Sequence, residues 1–272
     1  MSNYRRVYQA SEALVSSEVG EAALANYLRM YEALDARAVV IKARDLETTF
    51  GFRISNEDVA AFCRQHGPRY IGFAGVDPNK GMQALRDLHH AVHELGLRGL
   101  NVQGFEHRLH INDKRMYPLY AKCVELDIPV NIHVGMNFST HTSMSYGRPE
   151  NLDEVLQHFP ELRVCASPPG WPWLNELIAV AWRHPNLWIG LVAVRPKLLM
   201  KPESGYGPLL QYGNTVLKHR VLFGSGFPMM PVRRSVSEIE ALPLDETVRE
   251  RWLHGNAAEF LRLDSELGKD HV

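Results

Sequence analysis

The hydrophobic positions of this chain fall into short runs separated by amphipathic stretches. Arg37 to Ala43, Tyr70 to Val76, Leu97 to Val102, Pro129 to Val134, Leu162 to Ala166, Leu187 to Val192 and Arg220 to Gly224 are apolar or β-branched runs of strand length. Runs of this kind suit strands of a parallel sheet that is covered on both faces. Between them, Glu21 to Leu34, Asn56 to His66, Met82 to Leu95, Met116 to Leu126, Leu152 to His158 and Leu174 to Arg183 carry apolar residues at helical spacing, and a closing helix is predicted from Leu244 through Leu261. Strand and helix alternating at this distance predict βαβ units and an α/β fold, a (β/α)8 TIM-like barrel. The count is one strand short of eight, and the deficit lies at the N-terminus. Either Tyr4 to Gln9 makes a degenerate first strand, or that strand is missing and the opened edge is covered by something else.

Length and composition fit one domain. The 272 residues are 45% hydrophobic and 22% charged, and barrels of about 250 residues are commonly single domains; residues 1–272 are read as one. The net charge of -1, with both signs mixed and no Lys/Arg block, excludes a nucleic-acid footprint. Cys63, Cys123 and Cys165 are odd in number, far apart and free of any C-x-x-C pair, which points to buried apolar cysteines in a reducing compartment. No apolar run reaches the ~18 residues of a membrane span, so no membrane partner and a cytoplasmic location are expected.

Several phrases carry more information than composition. Leu222-Phe223-Gly224-Ser225-Gly226-Phe227-Pro228 resembles the L-F-G-[ST]-D-[YF]-P closing strand of the amidohydrolase-related family, which includes resorcylate-type and aminocarboxymuconate semialdehyde decarboxylases. Ser55-Asn56-Glu57, Ile71 to Pro78, Gly96 to Leu100, Pro118-Leu119-Tyr120, Pro129 to Gly135, Arg148-Pro149, His158-Phe159-Pro160, Gly170 to Trp173 and Gly255 to Ala258 follow in the family's order. The resemblance spans about Val19 to Leu263.

The resemblance implies a divalent metal, and the ligand positions that match depart from it. Gly226 stands where the family has its aspartate. Pro168, in Ser167-Pro168-Pro169-Gly170-Trp171-Pro172-Trp173, stands where the family has its third histidine and offers no ligand nitrogen. The opening H-x-H pair has no counterpart in Met1 to Gln9. His133 alone remains of that set, and one imidazole cannot hold a catalytic zinc, which takes about three protein ligands. The expectation is therefore no metal and no cofactor, with His133 as the catalytic candidate, either a proton carrier or a relic held by hydrogen bonds.

Other candidates surround it. Arg148, Trp173, Arg195 and His141 are expected on or beside the rim loops, where arginine and aromatics suit a planar carboxylate. His107 and His110, with Glu106 and His133, are the alternative set for a new metal site. His89 and His93, four apart, belong to the outer face of a helix. No nucleophile elbow and no phosphate loop occurs. Two functions remain open: a non-catalytic subunit that supports a metal-bearing relative in a hetero-complex or pairs as a homo-oligomer, and a metal-independent hydrolase (lactonase-like) or decarboxylase acting on a small carboxylate through His133.

Overall fold

The structure is a computed structural model and describes residues 23–227 and 230–263. Tyr4 to Gln9 lies outside the described residues. Helix α1 (Ala23–Glu32) leads into strand β1 (Val39–Lys42), and a small antiparallel hairpin follows at once: β2 (Arg44–Leu46), the single turn α2 (Glu47–Phe50) and β3 (Phe52–Ile54). Then come α3 (Asn56–His66), β4 (Tyr70–Gly75), α4 (Met82–His93), β5 (Leu100–Val102), the short α5 (Gly104–His107), α6 (Tyr117–Glu125) and β6 (Val130–Ile132). The second half adds α7 (Asn151–His158), β7 (Val164–Ala166), α8 (Leu174–Arg183), β8 (Leu187–Leu191), α9 (Gly207–Gly213), β9 (Val221–Phe223), α10 (Val232–Glu240) and α11 (Glu246–Glu250). A π-helical turn, Arg251–Gly255, joins α11 to α12 (Asn256–Leu261).

All seven predicted strands form, in one parallel sheet of order β1-β4-β5-β6-β7-β8-β9. Strands β4 to β8 are buried on both faces, one against the helices and one inside the curled sheet, while the outer β1 and β9 are buried in part. The predicted helices form as well, with the closing stretch divided by the π turn. α3 starts where Ser55 caps it, its hydroxyl accepting from the Asp58 amide at 3.0 Å.

Residues alternate between the two faces of each strand. Ala43, Ala74, Leu100, Val130, Val164 and Ile189 join the cluster under the helices. Ile71, Phe73, Cys165, Trp188 and Leu222 face inward and pack with Phe260 and Leu261 of α12. The barrel's lower end is thus filled: Trp188 lies 5.2 Å from the Phe260 ring, and Arg220 sits over Trp188 at 4.9 Å. Arg163 closes the same end by donating to the Asp127 carbonyl at 2.6 Å and to the Phe260 carbonyl.

β1 and β9 are the outer strands of this sheet and do not pair with each other among the described residues. α1 bridges the two sides of that opening. Tyr27 stacks on Tyr70 at the start of β4 at 6.4 Å and meets Phe227 beyond β9 at 5.1 Å, while the Tyr31 hydroxyl lies 3.4 Å from the Ser225 hydroxyl. Part of the cover expected over the edge therefore comes from the chain itself.

Candidate active site at the barrel mouth

Toward the carboxyl ends of the strands the inward side chains change from apolar to polar, which is where sites of this fold are built. Asn101, Asn131 and Cys165 are register neighbours on β5, β6 and β7. A chain of hydrogen bonds runs through them: Ser167 Oγ donates to Asn131 Oδ1 at 2.9 Å, Asn131 Nδ2 to Asn101 Oδ1 at 3.1 Å, and Asn101 Nδ2 to the Ala43 carbonyl at 3.3 Å. The chain ties β7, β6 and β5 to β1 and fixes the floor of the mouth.

Three basic groups lie on the same inward faces. His133 follows β6 by one residue, Lys42 ends β1, and Arg44 begins the hairpin two residues later. Arg44 donates to Glu106 at 2.9 Å, and Glu106 is 1% exposed. Lys42 is half-buried and has no carboxylate partner among the described residues. Its pKa is pushed down to about 8, by burial first, against an opposing pull from Cys165 and with a smaller push in the same direction from Arg44. His133 is pushed down to about 3 by burial, then by the charges of Arg44 and Lys42. It is neutral at neutral pH, its ring edge-on to Phe105 at 4.6 Å, and its Nδ1 is buried with no partner among the described residues.

The exit of β6 is held from two sides. The Gly135 amide donates to the Gly147 carbonyl and the Met136 amide to the Trp171 carbonyl, both at 2.7 Å. Gly147 allows this closeness, since a Cβ there would lie 2.1 Å from the Gly135 oxygen. The hairpin walls another side: Leu46, Phe50 and Phe52 pack against Phe105 and Tyr146. Gly226 has φ +65°, a left-handed conformation natural to glycine, and its neighbours Ser225 and Phe227 are engaged with α1.

A divalent metal does not fit the described residues at this mouth. Pro168 and Gly226 supply no donor, and the remaining imidazole stands in a field of two cations, which would repel a third. Among the described residues no three His, Cys, Asp or Glu side chains converge on a point. The alternative set separates. Glu106 is engaged by Arg44, His107 faces the buried Asp77 at 3.6 Å, and His110 packs on Tyr146 at 4.9 Å. Burial alone would raise the Asp77 carboxyl, yet its interactions with His107, Thr48 and Asn79 hold it well below the usual range.

The rim arginines of the sequence reading sit in ion pairs. Arg148 binds Glu176 at 2.6 Å and lies over Trp173 at 5.2 Å, and Arg195 binds Glu238 of α10. His141 is exposed on the loop after β6. The structure brings none of these four into contact with His133 among the interactions observed. Lys42, Arg44, Asn101, Asn131 and Ser167, which the sequence reading did not select, line the mouth instead. Asn101 and Asn131 carried a signal, as polar residues inside apolar strand runs, whereas Lys42, Arg44 and Ser167 lie at or past the ends of such runs.

Known proteins share this fold. The uncharacterized TIM-barrel protein Bb4693 of Bordetella bronchiseptica is 29% identical, with a TM-score of 0.78 over 91% of this chain and 85% of that one. 2-amino-3-carboxymuconate-6-semialdehyde decarboxylase of Dictyostelium discoideum is 24% identical over 245 residues, 77% of this chain. The match spans 66% of that relative's length. The 2,6-dihydroxybenzoate decarboxylase from Rhizobium, 16% identical, shares the fold with a TM-score of 0.64 over 94% of this chain and 96% of its own. No helix among the described residues is long and apolar enough to cross a membrane. The sequence model of the family described as amidohydrolase matches residues 22–263, and on that span, with the parallel barrel and the ordered phrases that follow it, the chain belongs to the amidohydrolase family.

Proposed function

We propose that this chain is a decarboxylase-type barrel that binds a small carboxylate at its mouth without a divalent metal. The observation that carries the reading is the neutral His133, its Nδ1 buried and unpartnered, facing Lys42 and Arg44. An anion seated there would relieve both the orphaned nitrogen and the crowding of positive charge. Lys42, an amine of lowered pKa, and Arg44 hold the carboxylate by their charge. His133 is a base rather than an acid at neutral pH, and Asn131 with Ser167 orients the ligand's polar edge. Metal-activated water, the family's means of hydrolysis, is not part of this reading. Decarboxylation of small keto and hydroxybenzoic acids by chelator-treated protein tests the reading. Turnover should persist with chelator and fall by about 10²-fold in His133→Ala, the scale for losing a positioned proton-transfer group. Turnover that appears only on adding a divalent ion contradicts it.

A second reading, a supporting subunit beside a metal-bearing relative or a second copy, is favoured by one observation, the pair of outer strands β1 and β9, unjoined among the described residues. Light scattering separates the two: a stable monomer of chain mass that turns substrate over removes the subunit reading.

A further inference from the structure

We propose that Lys42 is a covalent centre, its Nζ condensing with the carbonyl of a small keto acid to form an imine at the barrel mouth. The inference rests on the carboxylate site proposed above and names its substrate class. It stands first on position. Lys42 ends β1 on the inward face, its register partner on β4 is Phe73, and the polar floor of Asn101 and Asn131 lies on the strands that follow.

It stands next on pairing. Arg44 has Glu106 as its anionic partner, Lys80 has Asp45 and Arg163 has Asp127. Lys42 has none among the described residues. A half-buried amine beside a second cation is held toward its free-base form, the form that attacks carbonyl carbon. Arg44, two residues on and so on the same face of the chain, is positioned by Glu106 and suits the keto acid's carboxylate.

The step balances without any further reagent. The Nζ lone pair adds to the keto carbon, the carbonyl oxygen takes up protons and leaves as water, and a protonated imine remains. When the β-carboxylate leaves as carbon dioxide, its C–C bonding pair moves into the iminium to give an enamine. A proton adds to the enamine carbon, and water then hydrolyses the iminium to release ketone and amine. One proton is consumed per turnover, and the water lost on condensation is returned on hydrolysis. His133, neutral at this mouth, relays the protons of addition and dehydration.

The test is reductive trapping on the full chain. The protein is incubated with pyruvate and sodium borohydride, and the adduct is mapped by peptide mass spectrometry. The expected result is one adduct per chain at Lys42, suppressed by excess benzoate, lost in Lys42→Arg and unchanged in the surface control Lys197→Arg. No adduct, or one spread over surface lysines and equal in Lys42→Arg, overturns the proposal. The wild-type map and benzoate protection decide the matter even if Lys42→Arg does not fold. Calorimetry with benzoate, which has no ketone, separates the layers: benzoate bound but no adduct removes the imine and leaves the carboxylate site, whereas neither signal removes both.

Discussion

At the residue scale, the mouth is defined by two groups whose protonation is forced by their neighbours. His133 is held at about 3 in the folded chain against 6.5 ordinarily, so between those values the unfolded chain binds the extra proton. Stability must therefore rise with pH across that window, and be lost as pH falls from about 6.5 toward 3. His133→Gln should flatten that slope in denaturation series at stepped pH; an unchanged slope would assign the acid sensitivity elsewhere. Lys42 carries the companion prediction. Its folded pKa of about 8 lies below the ordinary 10.5, so at pH 7 it is charged at a cost that vanishes only above the ordinary value. Lys42→Met should gain on the order of 1 kcal/mol at pH 7, as replacing a poorly paired buried charge by an apolar side chain often does. That gain should shrink as pH rises from 8 to 10.5. A loss of stability in Lys42→Met would mark the lysine as structural rather than retained for chemistry.

At the element scale, the strands hold what they carry through close backbone contacts between their exits. Gly147→Ala should destabilise the chain by about 1–3 kcal/mol, the usual cost of forcing atoms into a filled space, because the new Cβ would meet the Gly135 oxygen at 2.1 Å. Thermal melting reads the effect, and an unperturbed midpoint would mean that the loop after β6 gives way freely. The strands and most helices were legible because burial on both faces writes continuous apolar runs into the sequence. The hairpin of β2 and β3 was not, since Arg44-Asp45-Leu46 and Phe52-Arg53-Ile54 are three-residue strands around a turn, too short for a period to declare itself. Nor was the divided close of the chain, where one helical pattern runs on through the π turn at Arg251–Gly255. Lys42 and Arg44 escaped notice for a related reason. They end or follow an apolar run, and only the inward face of β1 converts them from solvated charges into lining of the mouth. His133 was legible because its strand and phrase survive around it. Arg148 and Arg195 looked available because Glu176 and Glu238, which bind them, are distant in sequence.

At the scale of the whole molecule, the barrel separates its tasks along its axis. The lower end is filled by Phe73, Trp188, Phe260 and their neighbours with Arg163 and Arg220 against them, the middle is bound by the Asn101–Asn131–Ser167 chain, and Lys42, Arg44 and His133 are left for the mouth. α1 and the segment after β9 occupy one another, so the strand end that resembles the family's metal aspartate site is given over to packing with Tyr27 and Tyr31. The most direct test of this account is calorimetric titration of chelator-treated, metal-analysed protein with benzoate near pH 7.5, repeated in buffers of different ionisation enthalpy. The account predicts one site per chain with no metal present, and proton uptake on binding because the anion raises the pKa values of Lys42 and His133. Absence of binding until a divalent ion is restored would contradict it.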